Sequence, residues 1–167
     1  MPRKNKKLPR HLLVIRTSAM GDVAMLPHAL RALKKVYPEV KVTVATKSLF
    51  HPFFEGLDVG FLDIETRRTH RGIRGAIRFA REAAELKIDA VADMHNVLRS
   101  KMVRAALHLR GIPVSVIHKG RIEKYMRLGR GSEGVKPLKH TVIRYCDVFR
   151  RLGFDFPDPR PAEKRPR

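Results

Sequence analysis

The chain has 167 residues, enough for one domain with a real hydrophobic core, and 43% of them are apolar, which excludes an intrinsically disordered protein. Lys and Arg number 36 against 16 Asp and Glu, so the formal net charge is +20. This excess favours an anionic partner: nucleic acid, an anionic membrane surface or a phosphorylated substrate. The charge does not choose among these three.

The single cysteine, Cys146, excludes an intramolecular disulfide and fits a reducing compartment. It stands at helical spacing with Val142, Tyr145 and Phe149, which predicts a small core residue rather than a nucleophile. The apolar run at residues 12–15 is too short for a signal-peptide core or a membrane span. We therefore expect a cytoplasmic protein that is peripheral at the cytoplasmic membrane face.

Proline-rich and charged segments at residues 1–10 and 156–167 are interpreted as tails or linkers that flank one domain at residues 11–155. Within the domain, short apolar runs alternate with amphipathic patterns. The predicted strands cover residues 12–15, 42–45, 61–64, 90–92 and 114–117. The predicted helices cover residues 23–37, 73–84, 98–109 and 140–152. The first should begin near Pro27, because proline fits only the first turn of a helix.

Five strands separated by helices predict an α/β fold, a Rossmann-like doubly wound parallel sheet with right-handed crossovers. In the usual strand order 3-2-1-4-5, the winding reverses between the first and fourth strands. Ligands bind beyond the carboxyl ends of those two strands. The candidate site is therefore formed by the loops at residues 16–22 and 94–100.

The first loop reads RTSAMGD and lacks both the GxGxxG turn and the GK[ST] of a phosphate-binding loop. Gly21 is expected to permit a tight turn into the helix, and Ser18 to cap it. Asp22 then lies at a helix amino terminus. It either offsets the helix dipole or acts as a general base for an acceptor hydroxyl.

The second loop reads DMHNVLRS. Asp93 either bonds to local backbone or takes part in the site, and His95 is either a packed polar residue or a hydrogen-bond donor to a sugar or phosphate. Arg99, at the first turn of a helix, either faces solvent or adds to backbone N–H groups suited to an anion. We expect Asp22 and Arg99 to open on the same crevice.

These two stretches resemble a known family. LLVIRTSAMGDVAMLPHALRALKKVYP is similar to the opening of the ADP-heptose:lipopolysaccharide heptosyltransferases, where a strand, an S-x-x-G-D-V loop and a proline-containing helix begin the chain. IDAVADMHNVLRS resembles their second hallmark, D-x-Q-G-x-x-(K/R)-S, with His95 and Asn96 in place of Gln and Gly. The resemblance runs in register from about Leu12 to Phe154.

The resemblance implies the amino-terminal half of a GT-B architecture, in which two Rossmann-like domains face a cleft. Such enzymes transfer heptose from ADP-heptose to the phosphorylated lipid A and inner-core acceptor at the membrane. It implies Asp22 as the catalytic base. Residues expected to contact the anionic acceptor are Ser18, Lys47, His51, Arg67, Arg68, His70, Arg71, His95 and Arg99. No metal and no cofactor are implied, because the nucleotide-sugar is a substrate.

Family members are longer, and their second domain holds the nucleotide-sugar. We therefore expect this chain to be incomplete for catalysis, to bind ADP-heptose weakly and to need a separate donor-binding domain.

Two rival readings remain. A basic nucleic-acid-binding module fits the charge, but the sequence disfavours it because there is no Trp, only three Tyr and no aromatic-basic RNA-binding motif. A receiver-like or flavodoxin-like domain fits the fold, but no paired acidic residues follow the first strand and no phosphate loop is visible.

Overall fold

The computed structural model describes residues 7–65, 69–118 and 139–159. In these ranges the strands are β1 (His11–Ile15), β2 (Lys41–Thr46), β3 (Gly60–Asp63), β4 (Ala90–Asp93) and β5 (Val114–Val116). The helices are α1 (Met20–Val36), α2 (Gly72–Glu85), α3 (Leu98–His108) and α4 (Thr141–Arg151), and a short 3₁₀ helix spans Ser48–Phe54. Each predicted strand and helix is present, with bounds shifted by at most a few residues.

The strands form one parallel sheet in the order β3-β2-β1-β4-β5. This confirms the predicted α/β fold, a Rossmann-like doubly wound sheet. At the end of β1, Ile15 pairs with Ala45 of β2 on one side and with Asp93 of β4 on the other. The carboxyl ends of β1 and β4 are therefore neighbours, and the winding reverses between them.

Alternate residues of the sheet enter two separate cores. Leu12 and Val14 face the core that contains α1 and α4, whereas Leu13 and Ile15 face the core that contains α2 and α3. Because helices cover both faces, β1 is a continuous apolar run instead of an alternating one. Cys146 is fully buried in the first core, and burial raises the pKa of its thiol to about 11, which confirms its interpretation as a core residue.

The start of α1 differs from the sequence prediction. The helix begins at Met20, so Pro27 is buried well inside it and not in its first turn. An interior proline removes one helix hydrogen bond, and the buried apolar face of α1 against the sheet and α4 offsets that loss. Gly21 is itself helical, and a Cβ built there meets no atom within 4 Å, so no tight turn requires it. The N-cap is Ala19, not Ser18, and it makes no side-chain cap hydrogen bond.

The described start of the proline-rich carboxyl segment packs against α4. Phe156 is buried, and its carbonyl accepts a hydrogen bond of 2.9 Å from Arg150, which also pairs with Asp158 at 2.5 Å. In the described residues, no helix is long and apolar enough to cross a membrane.

Candidate active site

The candidate site lies at the carboxyl edge of the sheet, where the β1–α1 loop meets the β4–α3 loop. The two loops are joined by backbone first: the N–H of Met94 donates to the carbonyl of Ile15 at 3.1 Å. The side chain of Ser18 then reaches across, with its Oγ 3.5 Å from Nε2 of His95. The sequence predicted both residues for the site, and the structure brings them together.

Arg16 also connects the two loops, and sequence reasoning missed it. Its side chain is only 7% exposed, and its guanidinium donates to the carbonyl of Met94 and to the carboxylate of Asp22. The same group lies 6.0 Å from the centre of the Tyr145 ring on α4. An arginine placed directly after a fully buried strand was the available signal, because a charge at such a place needs fixed partners.

Asp22 occupies the first turn of α1, as predicted. Arg16 holds its carboxylate from one side, yet 44% of the side chain is exposed. The Tyr145 hydroxyl donates to the Asp22 backbone carbonyl at 3.0 Å, which ties this turn to α4. Chemically, a fixed and accessible carboxylate is able to accept a proton from a hydroxyl group.

Asp93 at the end of β4 has a different environment. It is fully buried; its Oδ1 accepts hydrogen bonds from the N–H groups of His95 at 2.9 Å and Asn96 at 2.8 Å. Its Oδ2 lies 3.1 Å from the Arg104 guanidinium, which also donates to the Asn96 side chain at 3.3 Å. Of the two readings of Asp93, the one that has it bond to local backbone is therefore correct. Asp93 shapes the loop that carries His95.

Arg99 lines a small cavity of about 40 Å³ between α2 and α3, together with Thr17 and His95 of the two loops. Whether Asp22 and Arg99 open on the same crevice stays a prediction. Their helices α1 and α3 pack on opposite faces of the sheet, because the winding reverses at this point. The contacts between the two sides run through Arg16, Ser18 and His95.

Two predicted acceptor contacts already have partners within the protein. His51 stacks on Phe61 with ring centres 3.8 Å apart, and its Nε2 lies 2.8 Å from Asp63 Oδ1, although the two atoms are not aligned as a hydrogen bond. His70 is buried, with Nε2 3.0 Å from the Glu82 carboxylate.

The packing around His70 is tight. A Cβ on Gly75 would lie 2.2 Å from the His70 carbonyl carbon, so only glycine fits there. Nδ1 of the His70 ring also accepts a hydrogen bond of 3.1 Å from the N–H of Glu65. His70 therefore fixes the turn before α2 and does not face solvent, contrary to its predicted role as an acceptor contact.

The remaining predicted contacts are basic side chains that follow β2 and β3. Lys47 precedes the 3₁₀ helix and is half-buried, and Arg71 is exposed at the N-cap of α2. Arg67 and Arg68 lie outside the described residues. Among the residues that the structure describes, no group of three His, Cys, Asp or Glu side chains is arranged to hold a metal ion.

Searches of protein-family models and of curated protein sequences find no match to this chain. Among solved structures, it is similar to a glycosyl transferase of family 9 from Veillonella parvula DSM 2008, with a TM-score of 0.63 and 17% identity. It is similar to the E. coli heptosyltransferase WaaC with ADP-2-deoxy-2-fluoro heptose, with a TM-score of 0.61 and 22% identity. A third match is E. coli ADP-heptose lps heptosyltransferase II, with a TM-score of 0.55 and 19% identity.

The matches cover 86%, 91% and 90% of this chain but only 42%, 50% and 42% of the three proteins, in the same order. The chain therefore spans half or less of their length. At these identities the likeness establishes the fold. It confirms at that level the resemblance found in the sequence: this chain has the fold of about half of a family 9 glycosyltransferase or heptosyltransferase.

Proposed function

We propose that this chain is the acceptor-binding half of a heptosyltransferase-like glycosyltransferase. The complete enzyme moves a sugar of the ADP-heptose type from its nucleotide to the phosphorylated inner core of lipopolysaccharide. The support is a fold shared with known heptosyltransferases together with the Arg16–Asp22 pair at the sheet's switch point.

The carboxylate of Asp22 carries the proposed chemistry. It takes the proton of an acceptor hydroxyl while that oxygen attacks the anomeric carbon of the sugar. The new glycosidic bond forms as the bond between the anomeric carbon and the nucleotide phosphate oxygen breaks, so that ADP leaves with the electron pair. Arg16 holds the carboxylate in place, because it is itself fixed by the Met94 carbonyl.

The acceptor contributes negative charge, and basic residues meet it along the carboxyl edge. Lys47 follows β2, Arg71 precedes α2 and Arg99 begins α3, so each stands at that edge of the sheet. Arg67 and Arg68 belong to the same proposed set. An acceptor anchored in lipid places the protein at the cytoplasmic face of the membrane, where a cationic surface is attracted to anionic headgroups.

The nucleotide-sugar is proposed to bind a separate donor-binding domain. The proposal is supported by the coverage, since the chain matches half or less of the heptosyltransferases that it resembles. We expect ADP-heptose binding by the chain to be weak.

Calorimetric titration of the chain tests the proposal with a detergent-dispersed phosphorylated acceptor, the same acceptor without its phosphates, and ADP-heptose. Binding that requires the phosphates and weakens with added salt is expected. Arg71→Gln should weaken it, whereas Arg31→Gln, an exposed site on α1, should not. Tight ADP-heptose binding, or acceptor binding that ignores the phosphates, would contradict the proposal.

A basic nucleic-acid-binding module is the second candidate, and the net charge of +20 favours it. A salt titration with single-stranded RNA separates the two candidates. Tight binding with a steep salt slope, unaffected by the phosphorylated acceptor, would favour the nucleic-acid module.

A further inference from the structure

The outer surface of α2 exposes two large aliphatic side chains. Ile73 is 69% exposed and Ile77 is 45% exposed, and their spacing of four residues places them on one side of the helix. The opposite side of α2 is well buried by residues such as Phe79. The exposure of Ile73 and Ile77 therefore does not reflect a poorly packed core side of α2.

Arginines flank these isoleucines on the same exposed surface. Arg74, Arg78 and Arg81 are all exposed and recur at helical spacing. The acidic Glu82 is engaged by His70 and by Arg78, at 3.0 Å each. Glu85 at the end of α2 is also exposed, so acidic residues are outnumbered and not absent. The exposed side of α2 is therefore aliphatic and predominantly cationic.

The neighbouring helix extends this surface. α3 packs beside α2 on the same face of the sheet, and Leu98 and Leu109 at its two ends are 74% and 87% exposed. Within α3 the charged residues are Arg99, Lys101 and Arg104, with no acidic residue. The first turns of both helices, with Ile73 and Leu98, stand at the carboxyl edge beside the candidate site.

We propose that this α2–α3 outer surface, defined by Ile73, Ile77, Leu98 and Leu109 with Arg74, Arg78, Arg81 and Lys101, binds the anionic surface of a lipid bilayer. Aliphatic side chains interleaved with cations suit the boundary between acyl chains and anionic headgroups. A nucleic acid backbone would attract the same arginines but would leave the isoleucines and leucines in water, so the bilayer is the better fit.

The inference deepens the proposed function and rests on it for its biological meaning. Docked in this way, the protein would present the carboxyl edge of its sheet beside the headgroups, where a lipid-anchored acceptor lies. Vesicle binding involves no sugar transfer, so the two proposals fail separately.

Co-sedimentation with vesicles tests the surface. The vesicles contain phosphatidylcholine with about one third phosphatidylglycerol, and pure phosphatidylcholine vesicles are the comparison. The full chain should bind the anionic vesicles and be released as salt rises from about 0.05 to 0.5 M. Ile73→Ser combined with Ile77→Ser should weaken binding about tenfold, since aliphatic carbons no longer enter the interface.

A matched control is Leu49→Ser on the 3₁₀ helix, where the leucine is 63% exposed on the other face of the sheet. It should bind as the wild type does. Arg74→Gln combined with Arg81→Gln should lower the affinity for anionic vesicles about 25-fold, at about fivefold for each charge removed near the membrane surface. Arg31→Gln combined with Lys35→Gln, which removes two exposed charges on α1, should lower that affinity far less.

Three outcomes would overturn the proposal: no binding of the wild type to anionic vesicles, undiminished binding of the double isoleucine variant, or an equal loss in the Leu49 control. Circular dichroism and melting temperature establish that each variant is folded. Tight RNA binding by the double isoleucine variant, together with undiminished vesicle binding, would assign the surface to nucleic acid instead.

Discussion

Two carboxylates stand at the carboxyl edge of the sheet in contrasting environments. Asp93 is 0% exposed, and both of its oxygens are engaged, by two backbone N–H groups and by Arg104. Asp22 retains 44% of its side-chain exposure and is held by Arg16. The comparison teaches that burial and partner number separate a carboxylate that builds a loop from one that is accessible to a substrate.

The arginines that pair with the two carboxylates differ in burial in the opposite sense to the carboxylates themselves. Arg16 is the buried member of its pair, with 7% exposure, whereas Arg104 is 23% exposed beside a fully buried Asp93. In the first loop the protein therefore buries the arginine and exposes the carboxylate for which we propose a catalytic role. In the second loop it buries the carboxylate, because that group holds the backbone.

The largest expected effect is on turnover. In the enzyme completed with a donor-binding half, Asp22→Asn should lower turnover by about 10²–10⁴-fold, since the amide cannot accept the proton. The stability cost should be about 1–2 kcal/mol, because buried Arg16 keeps an oxygen partner but loses a charged one. This exceeds the roughly 0.3–1 kcal/mol that a charge at a helix end contributes on its own.

Asp58→Asn is the control for that measurement. Asp58 is an acidic residue 96% exposed, paired with Lys34 at 3.0 Å, and remote from the site. Its turnover should stay at the wild-type level. Near-wild-type turnover of Asp22→Asn would leave Asp22 only its role at the helix end.

The second effect is on stability. Asp93→Asn should reduce the free energy of unfolding by about 2–4 kcal/mol, because the amide NH₂ that replaces Oδ2 then faces the Arg104 guanidinium, and Arg104 loses its charged partner. Urea unfolding measures it. Asp89→Asn is the matched control: Asp89 also accepts from two backbone N–H groups, at 2.9 and 3.0 Å, but it is exposed. Equal losses in the two variants would refute the importance of burial.

A smaller effect is expected from the residue that holds Asp22. Arg16→Lys keeps the charge but loses the planar fork that spans the Met94 carbonyl and the Asp22 carboxylate. Turnover should fall about tenfold with acceptor affinity little changed, because the carboxylate is less well positioned. Arg110→Lys, at an exposed arginine bonded to the Ala80 carbonyl, is the control. If acceptor affinity fell as much as turnover, Arg16 would be a binding residue instead.

The smallest effect concerns Tyr145, whose hydroxyl ties α4 to the first turn of α1. Tyr145→Phe should cost about 1 kcal/mol at neutral pH. Burial raises the pKa of Tyr145 from 10.0 to about 12, with Arg16 opposing and Asp22 adding to the shift. The folded protein therefore keeps this proton after the unfolded chain has released it, and stability falls as pH rises from about 10 towards 12.

Unfolding measured between about pH 8 and 11 checks this sign. The gap between wild type and Tyr145→Phe should narrow above about pH 10, because only the wild type loses the contribution. A constant gap would mean that the hydroxyl titrates as it does in water.

Hydrophobic periodicity predicted the fold well, because each buried strand needs apolar residues and each helix needs an apolar stripe. The strand order also followed, since parallel strands with helical crossovers allow few arrangements. The predicted start of α1 near Pro27 was wrong. Packing of α1 against the sheet and α4 stabilises a helix that local propensity would begin later.

The site was less predictable, because partners that are distant in sequence decide each role. Asp22 and Asp93 look alike in the sequence. Only the fold reveals that Arg16 pairs with Asp22 and that Arg104 pairs with Asp93. In the sequence His70 resembles the other basic residues of its loop. The fold shows that its ring lies between the backbone N–H of Glu65 and the carboxylate of Glu82. Arg16 directly follows the apolar run of β1, and the sequence does not show which groups it contacts.

A structure of the chain with a phosphorylated acceptor bound tests the central claim most directly. The account predicts an acceptor hydroxyl oxygen about 2.6–3.2 Å from the Asp22 carboxylate, still held by Arg16, with acceptor phosphates near Lys47, Arg71 or Arg99. An acceptor bound at the opposite edge of the sheet, or a hydroxyl that meets another base while Asp22 contacts only Arg16, would contradict it.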